Sequence, residues 1–240
     1  MREALSHRLY PDQRPNNLYG EALSGVAPPH RANNPPHRQE YIPKEVIRLI
    51  TVGIIIFPQV EELDFVGPYE VLNYINKVRP NSTTVLLVAE TPEPVAAFNG
   101  MRIIPDTTLA DCPPLDIIVA PGGKGRMAAM KNPAIREFLR SRQASARHVA
   151  SVCTGAFLLA EAGLLTGRKA TTYHTAFAEL AAYSVEVVPA KVVNDGGIIT
   201  AAGVSSGLEL GFYLLRLLFG VDLAQEVARR IEYDIDVSAL

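Results

Sequence analysis

Hydrophobic positions along the chain alternate between two kinds of pattern. Residues 47–57 (IRLITVGIIIF) form an almost unbroken β-branched run, as in a strand buried on both faces, and Pro58 ends it. Phe65, Tyr69, Leu72 and Ile75 then recur at helical spacing, which predicts a helix starting near Asp64 or shortly after. Residues 83–89 (TTVLLVA) predict a second strand, and residues 96–105 a hairpin turning at Asn99-Gly100. Residues 116–120 (DIIVA) predict another buried strand, followed at once by Pro121-Gly122-Gly123-Lys124-Gly125. Helices are expected over 127–130 and 133–145, a strand over 149–152, and a helix over 156–165 that ends at glycines. Beyond it come a short strand (169–172), a helix (175–182), and strands at 185–188, 191–194 and 198–201, the last two joined at Asp195-Gly196-Gly197. Two helices close the chain, 205–218 and 223–231, the second read as capped by Asp222. Strands alternating with helices predict an α/β fold of three layers, a mostly parallel sheet with helices on both faces.

Residues 1–46 carry neither pattern. Pro, Asn, His and Arg dominate them, and they are read as a disordered tail before a catalytic domain spanning 47–240. Met1 and Arg2 open a stretch of transit-peptide type, against which Glu3, Asp12 and Glu21 argue. His30 and His37 are read as solvated. The whole chain has 240 residues, 48% of them hydrophobic, enough for one sizeable core. A net charge of -2 gives no reason to expect nucleic acid or a membrane surface as a partner. No apolar run reaches the ~18 residues that span a bilayer. Two cysteines without a CxxC pair suggest neither a disulfide framework nor a zinc site, and a reducing, cytoplasmic setting suits them.

The chemistry concentrates in residues 148–165 (HVASVCTGAFLLAEAGLL). A strand breaks at Cys153-Thr154-Gly155 and turns straight into a helix, the logic of a nucleophile elbow. The side chain at the break is pushed out of the sheet edge towards the helix's unpaired N–H groups, which favour a thiolate. The plain alternative is a buried core cysteine. Asp64, after the first strand, is either a helix N-cap or a carboxyl group at the carboxyl edge of the sheet. Gly122 and Gly123 offer a loop where N–H donors face an oxyanion. Cys112 lies in the loop Asp111-Cys112-Pro113-Pro114 and is read as structural.

With these pieces in hand, the chain resembles the ThiJ/PfpI superfamily and, within it, the isonitrile hydratases. The resemblance rests on FPQVEELDFVGPYEVL, DCPPLDIIVAPGG, SVCTGAFLLAEAGLLTGRKATT and DGGIITAAGVSSGLEL, in that order. It implies a flavodoxin-like, class I glutamine-amidotransferase-like fold. It places the nucleophile on Cys153 and its acidic partner on Asp64, where many relatives carry Glu and the hydratases Asp. It implies hydration of an isonitrile to an N-substituted formamide, with Gly122, Gly123 and Thr154 binding substrate or oxyanion. A small-molecule substrate, a homodimer, and no metal or organic cofactor go with it; the apolar side of the first helix (Phe65, Tyr69) could serve as the dimer surface and fits burial in the monomer as well. One departure stands out. Hydratase-like members usually read Thr-Thr-His-Trp where this chain has Thr172-Tyr173-His174-Thr175. His174 is accordingly read as a helix-start surface residue, with a near-site polar role as the alternative. Rival readings are a glyoxalase- or deglycase-type enzyme on 2-oxoaldehydes, a redox-sensing regulatory domain, and a peptidase that would need His174 beside the cysteine.

Overall fold

The computed structural model describes residues 48–240, so the expected tail, its histidines and the transit-type stretch lie outside the described residues. The first strand, β1 (Ile50–Ile55), is buried along almost its whole length, as its β-branched run requires. Next come α1 (Glu62–Val78), β2 (Thr83–Ala89) and the expected hairpin, whose short strands β3 (Val95–Ala96) and β4 (Arg102–Ile103) pair antiparallel. Then follow β5 (Thr107–Thr108), β6 (Ile117–Ala120), α2 (Arg126–Ala129), α3 (Pro133–Gln143), β7 (His148–Val152) and α4 (Ala156–Glu161). The rest is β8 (Lys169–Ala170), α5 (Phe177–Ala181), β9 (Glu186–Val187), β10 (Val192–Asp195), β11 (Ile198–Ala201), α6 (Ser206–Phe219) and α7 (Val221–Arg230).

Seven strands form one sheet in the order β10-β11-β7-β6-β1-β2-β5, and only β10 runs antiparallel to its neighbour. Helices α1, α6 and α7 pack together on one side, and α3 and α4 on the other, giving the three-layer α/β fold. The central strands β6 and β11 are buried at every position, as continuous apolar runs demand.

Four sequence expectations change. α1 starts two residues before Asp64, so Asp64 sits inside its first turn, and Glu61 is the N-cap. α4 stops at Glu161 rather than 165. Residues 169–170 and 186–187 pair with each other in a separate ladder instead of joining the main sheet. The cap of α7 is Gly220, at φ 87°, with Asp222 inside the first turn. β5 escaped the sequence because two threonines carry no periodicity. Phe65, offered as part of a dimer surface, is 2% exposed and belongs to the monomer core.

Helices α1 and α6 approach backbone to backbone at Gly67 and Gly207. A Cβ on Gly67 would lie 3.1 Å from the Gly207 carbonyl carbon and 3.2 Å from the Leu208 nitrogen. One on Gly207 would lie 3.0 Å from the Leu63 oxygen. Gly67→Val therefore forces the helices apart. It should lower unfolding stability by about 1–3 kcal/mol, read as a lower urea midpoint. An unchanged midpoint would mean that this contact gives way freely.

Candidate active site

Strand register collects the candidate residues at one edge. Ile54 pairs with Val119, and Ala120 with Ser151, so β1, β6 and β7 end at nearly the same level. Gly122 and Cys153 each follow two residues beyond the Ala120–Ser151 pair. α1 brings Asp64 back over the end of β1. This is the carboxyl edge of an open parallel sheet, where such folds bind and react ligands.

Cys153 sits at φ 57°, a left-handed conformation that costs a residue with a Cβ of order 1 kcal/mol or more. Two hydrogen bonds hold it there. The Cys153 N–H donates to the Ala202 carbonyl at 2.7 Å, and the Thr172 hydroxyl donates to the Cys153 carbonyl at 2.7 Å. A 3-10 turn over Cys153–Gly155 follows and leads into α4. The side chain is therefore turned out of the strand, although it is only 6% exposed.

Asp64 is fully buried. Its Oδ2 accepts the Gly122 N–H at 2.8 Å, while Oδ1 has no well-aligned partner. The Cys153 thiol faces this carboxyl closely enough for each group to shift the other. Burial pushes Asp64 up to about 7; the Gly122 N–H opposes that shift, and the neighbouring Glu61 charge adds to it. Burial also pushes Cys153 up to about 12, with the Asp64 charge adding to it and the Thr154 N–H and hydroxyl pulling the other way. The expected lowering of the thiol by the helix mouth is thus outweighed, because burial and then the neighbouring Asp64 carboxyl group disfavour the thiolate. Together the two groups hold two protons below about pH 7 and one proton between about 7 and 12.

The glycine loop is engaged differently from expectation. The Gly122 N–H serves Asp64, and the Gly123 N–H donates to the Thr154 hydroxyl at 3.2 Å. Neither is an idle donor: the loop positions the acid and the threonine. The first of the glycines also admits no side chain, since a Cβ on Gly122 would lie 2.6 Å from the Thr154 nitrogen and 2.8 Å from that of Gly155. Of the proposed donors, the Thr154 N–H is the one directed at the sulfur.

A cleft of about 650 Å³ adjoins the elbow, and Thr172 and Ala202, which grip the Cys153 backbone, line it. Tyr173 and His174 form one wall, their rings 4.5 Å apart, and His174 itself is exposed. A Cβ on Gly203 would lie 2.9 Å from the Tyr173 ring. Another cleft, of about 410 Å³, lies between residues 89–95 and α2; neither cleft has Cys153 or Asp64 in its lining. Sequence reasoning missed Thr172, Ala202 and Glu61. Only the paired threonines after β8 carried a signal, since a strand ending in hydroxyls at a sheet edge has donors to spare. Among the described residues, no three His, Cys, Asp or Glu side chains gather as a metal would need, and no helix is long and apolar enough to cross a membrane.

Burying Asp64 has a consequence for stability. A carboxyl group whose native pKa is raised from 3.8 to about 7 favours folding most below pH 4, and that contribution is lost as pH rises through 7. The loss is on the order of 4 kcal/mol at about 1.4 kcal/mol per pH unit. Asp64→Asn should therefore be more stable than the parent at pH 8, with the gap closing by pH 4. Urea unfolding at both pH values measures it, and an equally stable or weaker variant at pH 8 would contradict the burial argument.

Known proteins resemble this chain in sequence and in architecture. A model described as the DJ-1/PfpI family matches residues 50–217. Isonitrile hydratase of Pseudomonas putida is 41% identical over 187 residues, covering 77% of this chain and 78% of that protein. Protein dj-1beta of Drosophila melanogaster is 28% identical over 179 residues, covering 73% of this chain and 93% of that protein. A crystal structure of a ThiJ/PfpI family protein from Pseudomonas syringae superposes with a TM-score of 0.74 at 30% identity, over 87% of this chain and 84% of that one. Sequence match and shared architecture agree, and the chain belongs to the DJ-1/PfpI family.

Proposed function

We propose that the protein hydrates an isonitrile, R–N≡C, to the N-substituted formamide, with Cys153 as nucleophile and Asp64 as general acid and then base. The observation that carries this is a fully buried carboxyl group, one oxygen tied to Gly122 and the other without an aligned partner, facing a thiol on a strained elbow. The 41% identity to an isonitrile hydratase supports the choice of reaction.

In the reactive form of the singly protonated pair, the proton lies on Asp64 and the sulfur is a thiolate. The sulfur attacks the terminal carbon, whose lone pair takes the Asp64 proton, giving a thioimidate, R–N=CH–S–Cys153. Water then adds to that carbon. Asp64 accepts a proton from the water and passes it to the nitrogen, leaving R–NH–CH(OH)–S–Cys153. The hydroxyl proton returns to Asp64 as the carbon–sulfur bond breaks. Formamide leaves, and the pair is restored with its single proton. The Thr154 N–H stabilises charge at the sulfur, and the Gly123 N–H fixes the Thr154 hydroxyl beside it. The cycle conserves atoms without an external oxidant or reductant. A free thiol nucleophile fits a reducing, cytoplasmic setting, and a homodimer is part of the proposal.

Cys153→Ala should abolish formamide production from a simple isonitrile, followed by chromatography of the product; residual turnover above background would exclude covalent catalysis. Asp64→Asn should lose at least ~10²-fold in kcat. For the parent, kcat/KM should climb as pH passes about 7, where the pair gives up its first proton, and Asp64→Asn should lack that limb. Loss of methylglyoxal without formamide formation from isonitriles would favour the 2-oxoaldehyde alternative.

A further inference from the structure

A second carboxylate is built into the turn of helix that carries Asp64. Glu61 is the N-cap of α1 and Asp64 the third residue inside it, the spacing at which a capping box closes and the inner acid takes the N–H of the N-cap. Here Gly122 takes both halves of that exchange. Its carbonyl accepts the Glu61 N–H at 3.0 Å, and its own N–H donates to Asp64 Oδ2 at 2.8 Å. A Cβ on Gly123 would collide with the Glu61 nitrogen, so the glycine loop lies hard against this turn. The hairpin closes the other side. The Phe98 N–H donates to the Val60 carbonyl at 2.8 Å. Asn99, at the hairpin tip, donates its backbone N–H and its Nδ2 to the two carboxylate oxygens of Glu62, each at 2.7 Å, and its Nδ2 also reaches Glu61 Oε1 at 3.4 Å. Glu61 is half-buried, and its carboxylate makes no capping bond to α1. Held between loop and hairpin, it stays one helical turn from Asp64.

The other charged groups on the elements around Asp64 are engaged elsewhere. On the glycine loop, the Lys124 ammonium stands 5.8 Å from the centre of the Phe98 ring. Arg126 of α2 pairs with Glu179, and Glu209 of α6 with Lys191. Glu62 is taken up by Asn99, and His174, before α5, is exposed. Among the described residues, Cys153 and Glu61 are therefore the ionisable groups that bear on Asp64, and Glu61 acts on Asp64 without acting on Cys153.

Resting on the reading of Cys153 and Asp64 as the reacting pair, we propose that Glu61 is a positioning residue acting through Asp64: its carboxylate keeps the shared proton on the Asp64 carboxyl, so that the sulfur carries the negative charge. The singly protonated pair has two arrangements. In one the charge lies on the Asp64 carboxylate, a turn of helix from Glu61; in the other it lies on the sulfur. A fixed negative charge beside Asp64 disfavours the first, and the thiolate form gains. That form is the one that attacks carbon and then protonates it. The effect depends on pH in a way that a merely structural role would not. Below the pH at which the pair gives up its first proton, the amount of thiolate beside a protonated Asp64 depends on the thiol alone, and Glu61 does not enter. Above it, that amount depends on how firmly Asp64 keeps its proton, and Glu61 sets it.

The test measures two rates at pH 5.5 and pH 8 for the parent, Glu61→Gln and Glu61→Asp. One is kcat/KM for a simple isonitrile; the other is alkylation of Cys153 by iodoacetamide, followed by mass spectrometry of its peptide. Glu61→Gln should stay within about twofold of the parent at pH 5.5 and fall behind by about threefold or more at pH 8, the size expected for one partly screened charge at this range. Glu61→Asp keeps the charge and should follow the parent at both pH values. Equal losses at pH 5.5 and pH 8 would make Glu61 a structural residue and overturn the proposal, as would a Glu61→Gln variant unchanged at pH 8. Alkylation that shows the pH-dependent loss while no isonitrile is turned over upholds the role of Glu61 and sinks the hydratase reading alone. Formamide production with no such loss leaves that reading standing and removes Glu61 from it.

Discussion

A single shared enclosure governs this site: a carboxyl group and a thiol buried against each other, with one backbone N–H committed to the carboxyl. Burial penalises the ionised form of each, and proximity penalises ionising both. The outcome is a pair that gives up its first proton near pH 7 and holds the second up to about 12. Such a pair can protonate a carbon and still present a nucleophilic sulfur, which two isolated groups of ordinary pKa could not do at the same pH. The remaining features of the edge serve that arrangement. Gly122 supplies the N–H and, lacking a Cβ, lets the glycine loop lie against the elbow turn. Thr172 and Ala202 hold the cysteine in a backbone conformation it would not choose by itself.

The sheet makes this possible at a cost in stability. A carboxyl group ionised out of water and a non-glycine residue at positive φ are both unfavourable, and they persist because the core over-determines them. β6 and β7 are buried from end to end or nearly so, and their register leaves no freedom to slide Gly122 relative to Cys153. Close contact of α1 with α6 at Gly67 and Gly207 fixes the helix that carries Asp64. Rigid layers therefore set the distance between acid and sulfur, while the cleft beside them is built from turns and helix starts.

Much of the architecture was legible in the residues. A continuous β-branched run marked β1, and shorter apolar runs marked β2, β6, β7 and β11; β6 and β11 are buried at every position, as strands covered on both faces are. The elbow was legible too, since a strand, a cysteine and small residues opening a helix leave few other conformations. Element ends were less so. Asp64 looked like the start of a helix because Asp favours caps, yet the helix begins earlier under tertiary packing and Asp64 faces inward. The glycine loop looked like a set of free donors, and only the fold showed that its N–H groups were already engaged. Phe65 carried the same helical spacing whether it faced solvent, a partner or the core, and burial decided for the core.

By itself the sequence determined the α/β alternation, the cysteine at a strand-to-helix break and the acidic residue on the first crossover. These follow from local patterns, which short-range sterics and hydrophobic periodicity enforce. Tertiary structure alone decided the protonation of the pair, the grip of Thr172 and Ala202 on the elbow, and the wall that Tyr173 and His174 build. Each of these depends on groups far apart in the chain meeting in a place that excludes water. Desolvation and approach are properties of the packed fold, and no run of neighbouring residues encodes them.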